Sequence, residues 1–287
     1  MPVLNIRHRA TYRYREPVRL GPHRLMLRPR ESRDVRLLSS ALEVVPAVPI
    51  AWANDVFGNA IATVQFKDVT DSLSIESRAA VELAAAPWPV LNIAGSAIRF
   101  PFFYSAAETT DLGPLALPQY FDPSGRLAEW TRGFIRGTET DTLALLKDMV
   151  AGVSARIGYQ SREEEVTQSP LATLERGWGS CRDLAVLFAE AARCLGFGAR
   201  IISGYLYNPD QLPAALNGAG STHAWAEIFL PGAGWITFDP TNQAVGGFNL
   251  IPLAVGRVMA QVLPMTGTFL GMTDAYQGMS VEVQVTT

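Results

Sequence analysis

Cysteine is nearly missing from this sequence, with two in 287 residues. Neither belongs to a CxxC pair or a Cys/His cluster, which excludes a disulfide scaffold and removes any zinc template. No metal and no cofactor is expected. No segment runs for about 18 apolar residues, the length a membrane span needs. The opening MPVLNIRHRATYRYR lacks the apolar stretch and small-residue cleavage site of a secretory signal. The cytoplasm is therefore the expected compartment, and a membrane is not an expected partner. A GxxxxGKS or GxxxxGKT loop is missing too, as is a basic-aromatic platform in the second half, so nucleotides and nucleic acid are not expected ligands. Histidine is scarce: of three, only His223 lies in the second half. His8 and His23 have no Cys or carboxylate at ligand spacing and are read as structural or merely exposed.

What is present is the composition of a folded chain. Hydrophobic residues make up 48 % and charged ones 18 %, far from the disordered regime. The length predicts two globular units, or one with a satellite. The net charge of −3 hides an asymmetry, since residues 1–36 hold ten arginines against Glu16, Glu31 and Asp34, a local +7 that leaves −10 for the rest. Arg7, Arg9, Arg13 and Arg15 all have odd numbers and share one face of a strand. Such a face is read first as solvated or as docking a domain, and second as an anion-binding surface.

Along the chain, residues 1–85 read as an N-terminal antiparallel β-sandwich-like domain. LNIRHRATYRY alternates apolar and basic, and LEVVPAVPI, IATVQFKDV and SLSIESRAAVEL follow as short strands punctuated by turns such as NDVFGN. Residues 86–137 form a Pro-rich connecting segment, with six prolines among aromatics between 87 and 123. Residues 138–287 are expected to form an α+β core that includes the alternating C-terminal strand MSVEVQVTT. In it, Leu143, Leu146, Met149, Val150, Val153 and Ile157 recur at helical spacing behind Thr140 or Asp141 as cap. SPLATLERG is a short helix with Pro170 in its first turn and Gly177 as its stop. CRDLAVLFAEAARCLGFG is the next helix, with Leu184, Leu187, Phe188, Ala191 and Leu195 on one stripe. ARIISGYLY, HAWAEIFL and GWITFDP are strands, and residues 208–222 form an unpatterned loop expected to act as a lid or groove wall.

Cys181 therefore opens a helix, where unpaired backbone N–H groups favour the thiolate, the nucleophilic form of cysteine. Asp183 opposes this with nearby negative charge, so an imidazolium partner is expected to supply most of the stabilisation. Gly177, Gly179 and Ser180 are small enough for a substrate carbonyl to approach the backbone, with the Cys181 N–H as oxyanion donor. His223 is the base available to Cys181 in this half. Pairing Phe229 with Ala233 across residues 230–232 would set Asp239 opposite His223, placed to accept the imidazole Nδ1–H. Read alone, Asp239 is as well a turn residue of DPTN, and Cys181 a small core residue. A serine hydrolase built on Ser180 is disfavoured because GWGSCR lacks the second glycine of GxSxG.

GWGSCRDLAVLFAEAARCLGFGARIISGYL, followed by THAWAEIFLPGAGWITFDPTN, closely resembles the bacterial transglutaminase-like superfamily, whose papain-like core orders its triad Cys, His, Asp. HRATYRYREPV, RLMLRPR and NDVFGN are similar to the β domain that often precedes this core, and FNLIPLAVGR to the C-terminal segment. The resemblance implies Cys181 as nucleophile, His223 as base and Asp239 as orienter, with Tyr159 and Trp178 where relatives place an aromatic near the oxyanion. The chain departs from it after Gly256-Arg257, reading Val-Met-Ala-Gln where many relatives read Asp-Tyr-Ala-Asp, and at Ser180, where Val is usual. It implies a protein or peptide substrate whose thioester is resolved by water or by an amine, with hydrolysis slightly favoured. The competing expectation is a non-catalytic binding module on the same fold. The oligomeric state is not legible.

Overall fold

The computed structural model describes residues 2–161, 166–208, 220–272 and 274–287; most of the expected lid, residues 208–222, lies outside them. The chain opens with β1 (Val3–Leu20), in which even-numbered Leu4, Ile6, His8 and Ala10 are buried and the odd-numbered arginines face outward. Then come β2 (His23–Leu25), β3 (Val35–Val45), β4 (Ile50–Asn54), β5 (Ala60–Val64) and β6 (Val69–Leu83). β6 pairs with both β1 and β3, and β5 with β2 and β4. The two sheets enclose one apolar cluster built from Leu4, Ile6, Leu25, Val64, Leu73 and Ile75. On the outer face Glu76 lies opposite Arg9 and takes two hydrogen bonds from the Arg7 guanidinium, at 3.1 and 3.0 Å. The basic strand is thus a solvated sheet face laced with cross-strand pairs, which solvent screening keeps weak.

In the connecting segment β7 (Arg99–Phe100) pairs with β8 (Thr140–Asp141), and between them lie α1 (Ala106–Leu112) and α2 (Arg126–Arg132). The helix expected from residue 140 onward is α3 (Thr142–Arg156), capped by the Asp141 carboxylate on the Ala144 N–H. After it come β9 (Gly158–Tyr159), α4 (Pro170–Arg176), β10 (Trp178–Gly179) and α5 (Cys181–Cys194). The strands β11 (Ala199–Tyr207), β12 (Gly220–Leu230), β13 (Gly234–Asp239), β14 (Ala244–Val245) and β15 (Leu250–Gly256) form an antiparallel sheet ordered β14-β13-β12-β11-β15. Helix α5 lies on β11 and β12 with α2, α3 and α4 against it. Every residue from Asp183 to Arg193 is buried, so the helix has no solvated face. The charges this encloses are paired: Glu190 accepts from Arg193 and from the backbone N–H groups of Gln119 and Tyr120. Arg193 also donates to the carbonyls of Leu115, Ala199 and Arg257. The pair pins the connecting segment to the core helix.

The C-terminal strand corrects the expected domain division. β16 (Met265–Thr266), β17 (Phe269–Leu270) and β18 (Tyr276–Thr286) leave the core and pair with β2, β1 and β1 respectively. Val283 and Val285 bury their side chains in the N-terminal cluster, which binds the strand there. That cluster also takes in Tyr205, Ile251 and Leu253 from β11 and β15. Asn59, fully buried in the NDVFGN turn, closes the free edge of β15, its side chain accepting from the Val255 N–H at 2.9 Å and donating to the Val255 carbonyl at 2.7 Å. Arg30 holds the same side chain through Asn59 Oδ1. The N-terminal domain therefore serves as the edge cover that an exposed strand needs.

Candidate active site

Gly177, at φ 70°, ends α4 and turns the chain into β10, and Ser180 then caps α5. Asp183 organises this turn. Its Oδ2 accepts from the Ser180 N–H and hydroxyl, both at 2.8 Å, and its Oδ1 from the Gln168 N–H at 2.7 Å. The carboxylate expected to oppose a thiolate is thus already engaged by donors from its own cap, Ser180, and from Gln168. Gly179 and Ser180, expected beside the oxyanion, serve this cap with their side-chain positions. A Cβ on Gly179 would come within 2.8 Å of the Asp183 Cβ, and the buried Ser180 hydroxyl is committed to Asp183. Cys181 follows, partly exposed and unbonded to Cys194 at the far end of α5. Burial, with Glu190 and Asp122 nearby, pushes the Cys194 thiol up to about 11.

Parallel pairing of β9 with β10 sets Tyr159 beside Gly179. The Tyr159 phenol is pushed up by partial burial and by the neighbouring Cys181. Trp178 carries the Arg176 guanidinium over its ring at 5.6 Å.

His223 and Asp239 come from the β12–β13 hairpin, whose register differs from the expected one. Leu230 pairs with Gly234 and Phe229 with Trp235, so the loop is residues 231–233 rather than 230–232. Pro231 and Gly232 occupy the centre of a turn closed by the Ala233 N–H on the Leu230 carbonyl, with φ 82° at Gly232, the pattern of a type II turn. Gly234, also at positive φ, then starts β13. The pairing shifts by two residues, and since side chains alternate with period two, both still point to one face. His223 Nε2 lies 2.7 Å from Asp239 Oδ2. The nitrogen that meets the carboxylate is thus Nε2 and not the expected Nδ1, and the Cys181 thiol lies near enough to the same imidazole to help raise its pKa. Burial pulls the His223 pKa down, but the bonds to Asp239 and Cys181 outweigh it and raise it to about 10. Burial opposes ionisation of Asp239, yet the bonds from His223 and Asn242 hold it below the usual carboxylate range.

Residues 4–82 match the family described as the bacterial transglutaminase-like N-terminal region, and residues 128–240, which contain Cys181, His223 and Asp239, match the transglutaminase-like superfamily. The chain belongs to the transglutaminase-like superfamily. An uncharacterized protein of Mycobacterium tuberculosis (strain ATCC 25618 / H37Rv) is 26% identical over 281 residues, covering 91% of this chain and 86% of that one. Another, from Mycobacterium leprae (strain TN), is 24% identical over 272 residues, covering 93% of each. The crystal structure of a candidate cysteine protease from Cytophaga hutchinsonii has the same fold, with TM-score 0.73 at 19% identity, covering 98% of this chain and 89% of that chain. Family and fold support thiol-based catalysis in general terms.

Within this transglutaminase-like core, the side-chain roles of Asn242 and Gln261 escaped the sequence reading. Asp239 is both the His223 partner and a turn residue: its Oδ1 caps the N–H groups of Thr241 and Asn242 at 3.0 and 3.3 Å, while Oδ2 faces His223. Asn242 adds a side-chain donor to Oδ2 at 2.7 Å. In the departure after Arg257, Gln261 caps the Arg257 and Val258 N–H groups with its Oε1, and Met259 and Val262 are buried in the core. That segment is packing.

Proposed function

We propose that the protein is a cysteine-dependent acyl-transfer enzyme acting on peptide or glutamine-type amides, with Cys181 as nucleophile, His223 as base and Asp239 as orienter. The observation that carries this reading is a single buried imidazole that Asp239 bonds through Nε2 and whose pKa the thiol at the start of α5 helps to raise. In the reaction, the thiolate attacks the amide carbonyl, and the oxyanion that forms is held by N–H groups at the helix start, that of Cys181 among them. The C–N bond breaks as the imidazolium gives its proton to the leaving amine, leaving a thioester on Cys181. His223 then takes a proton from the second nucleophile, and the thiolate departs.

Water as second nucleophile makes the enzyme a protease, amidase or deamidase, and a primary amine makes it a cross-linking transglutaminase. Hydrolysis is favoured, since water is the default acceptor and nothing in the sequence marks a dedicated amine site. The test is incubation with a peptide library and a tagged primary amine, with products mapped by mass. Hydrolysed or deamidated peptides that vanish with Cys181→Ala are the expected result. Tagged peptides in excess would make it a cross-linker, and no Cys181-dependent product would leave a binding module on an enzyme fold.

A further inference from the structure

The Asp239 turn contains a side chain with no role in the reaction as described. Asn242, three residues beyond Asp239, turns its amide back so that Nδ2 lies 2.7 Å from Asp239 Oδ2 and 3.5 Å from His223 Nε2. The orientation follows from chemistry, because a carboxylate only accepts and the amide therefore presents its NH2 to it. Nδ2 and Nε2 are two donors converging on one oxygen, and the longer distance is the gap between them. Both sites of Asp239 are thereby filled: Oδ1 by the backbone of the turn, Oδ2 by the imidazole and the amide. The Pro240 carbonyl accepts from the Ser154 hydroxyl of α3, which anchors the turn from outside.

Resting on the acyl-transfer reading, we propose that Asn242 is a positioning residue that locks the Asp239 carboxylate onto His223 Nε2 and thereby keeps Nδ1 aimed at Cys181. Without the Asn242 amide the carboxylate would keep its backbone donors on Oδ1 but have only the imidazole on Oδ2, leaving that oxygen less tightly set against His223. With two donors on Oδ2 and two on Oδ1 it is fixed, and because it can only accept, the imidazole keeps its proton on Nε2. Among the described residues, the titratable groups facing Asp239 are His223 from β12 and, beyond it, Cys181 from α5. From its own turn and from α3 the neighbours Asn242, Thr241 and Ser154 are neutral. Losing the Asn242 donor therefore moves protonation of Asp239 to higher pH, with the His223 charge present alike in wild type and variants.

The test compares full-length wild type with Asn242→Leu and the isosteric Asn242→Asp, checking each for a wild-type melting profile. The primary readout is the downfield proton resonance of His223 Nε2–H during acid titration, which does not depend on activity. In both variants the resonance should broaden by solvent exchange and disappear at higher pH than in wild type. Turnover should fall on the order of tenfold to a hundredfold, mainly in kcat, as expected when a reacting group is misaligned. A folded variant with the wild-type resonance, acid titration and kcat would overturn the assignment. Cys181 labelling in wild type and His223→Ala separates the two readings: if labelling depends on His223 while the Asn242 variants behave as wild type, only the role of Asn242 fails.

Discussion

His223 is where local chemistry and environment conflict most, since it is nearly enclosed yet carries a pKa raised to about 10. A base whose folded pKa stands above its unfolded value, about 6.5, stabilises the fold fully below that value and loses the contribution as pH climbs through the folded pKa. Wild type should therefore lose stability between about pH 6.5 and 10 in urea melts, and His223→Gln should lack that component. A parallel alkaline slope in both proteins would remove the claim. For reactivity, iodoacetamide near neutral pH should modify accessible Cys181 and spare Cys194, whose thiol burial holds up near 11. His223→Ala should slow that labelling by roughly tenfold or more and change its pH dependence. Asp239→Ala should disturb labelling less than turnover, because it orients the imidazole rather than touching sulfur. Peptide mapping by mass reads both outcomes.

At the scale of elements, helix α5 and the β12–β13 hairpin show what periodicity can and cannot tell. The stripe from Leu184 to Leu195 marks one buried face, but a Glu190–Arg193 pair at i,i+3 spacing reads in sequence as a surface pair. Only the packing of α2, α3, α4 and the connecting segment around the helix turns it into a buried network. Glu190→Ala, which strands the Arg193 charge among carbonyls, should cost about 3–5 kcal/mol in chemical denaturation; a loss under about 1 kcal/mol would show that Arg193 reaches water. In the hairpin, parity survived where register did not, since a two-residue shift preserves faces. Gly234 holds φ 74° with open space around it. Gly234→Ala should thus cost about 1–2 kcal/mol through backbone strain alone, and an unchanged denaturation midpoint would contradict it.

Across the whole molecule, the N-terminal domain is structurally continuous with the core. Asn59 substitutes for a neighbouring strand on β15, so Asn59→Ala would leave the buried Val255 N–H and carbonyl unpaired, at about 1–3 kcal/mol for each. The expected total loss is about 2–6 kcal/mol, read as a single cooperative unfolding transition shifted to lower denaturant. Two separate transitions in wild type would show that the halves do not share a core. The shared cluster also buries His8, whose Nδ1 meets the Tyr205 hydroxyl at 2.9 Å and whose pKa burial lowers to about 4. Since the unfolded chain binds that proton more readily, stability should fall as pH drops from about 6.5 toward 4. His8→Gln should lessen that acid sensitivity, and an identical acid profile would speak against it.

Much of the site was legible because its parts are local. A cysteine behind glycines and ahead of an apolar stripe is the start of a helix, and two strands joined by Pro-Gly keep the same side chains on one face for any register shift of an even number of residues. The α+β class and the pairing of His223 with Asp239 followed from such short-range rules together with family resemblance. Choices among long-range competitors were not legible. Which imidazole nitrogen meets Asp239 depends on the diagonal offset of the hairpin, and the role of Asn242 depends on the path of a turn. The partner of β18 depends on which of two sheets buries Val283 and Val285, strands at opposite ends of the chain. Alternation says only that one face must be covered; the tertiary structure decides by what, because that is settled by competition among surfaces distant in sequence.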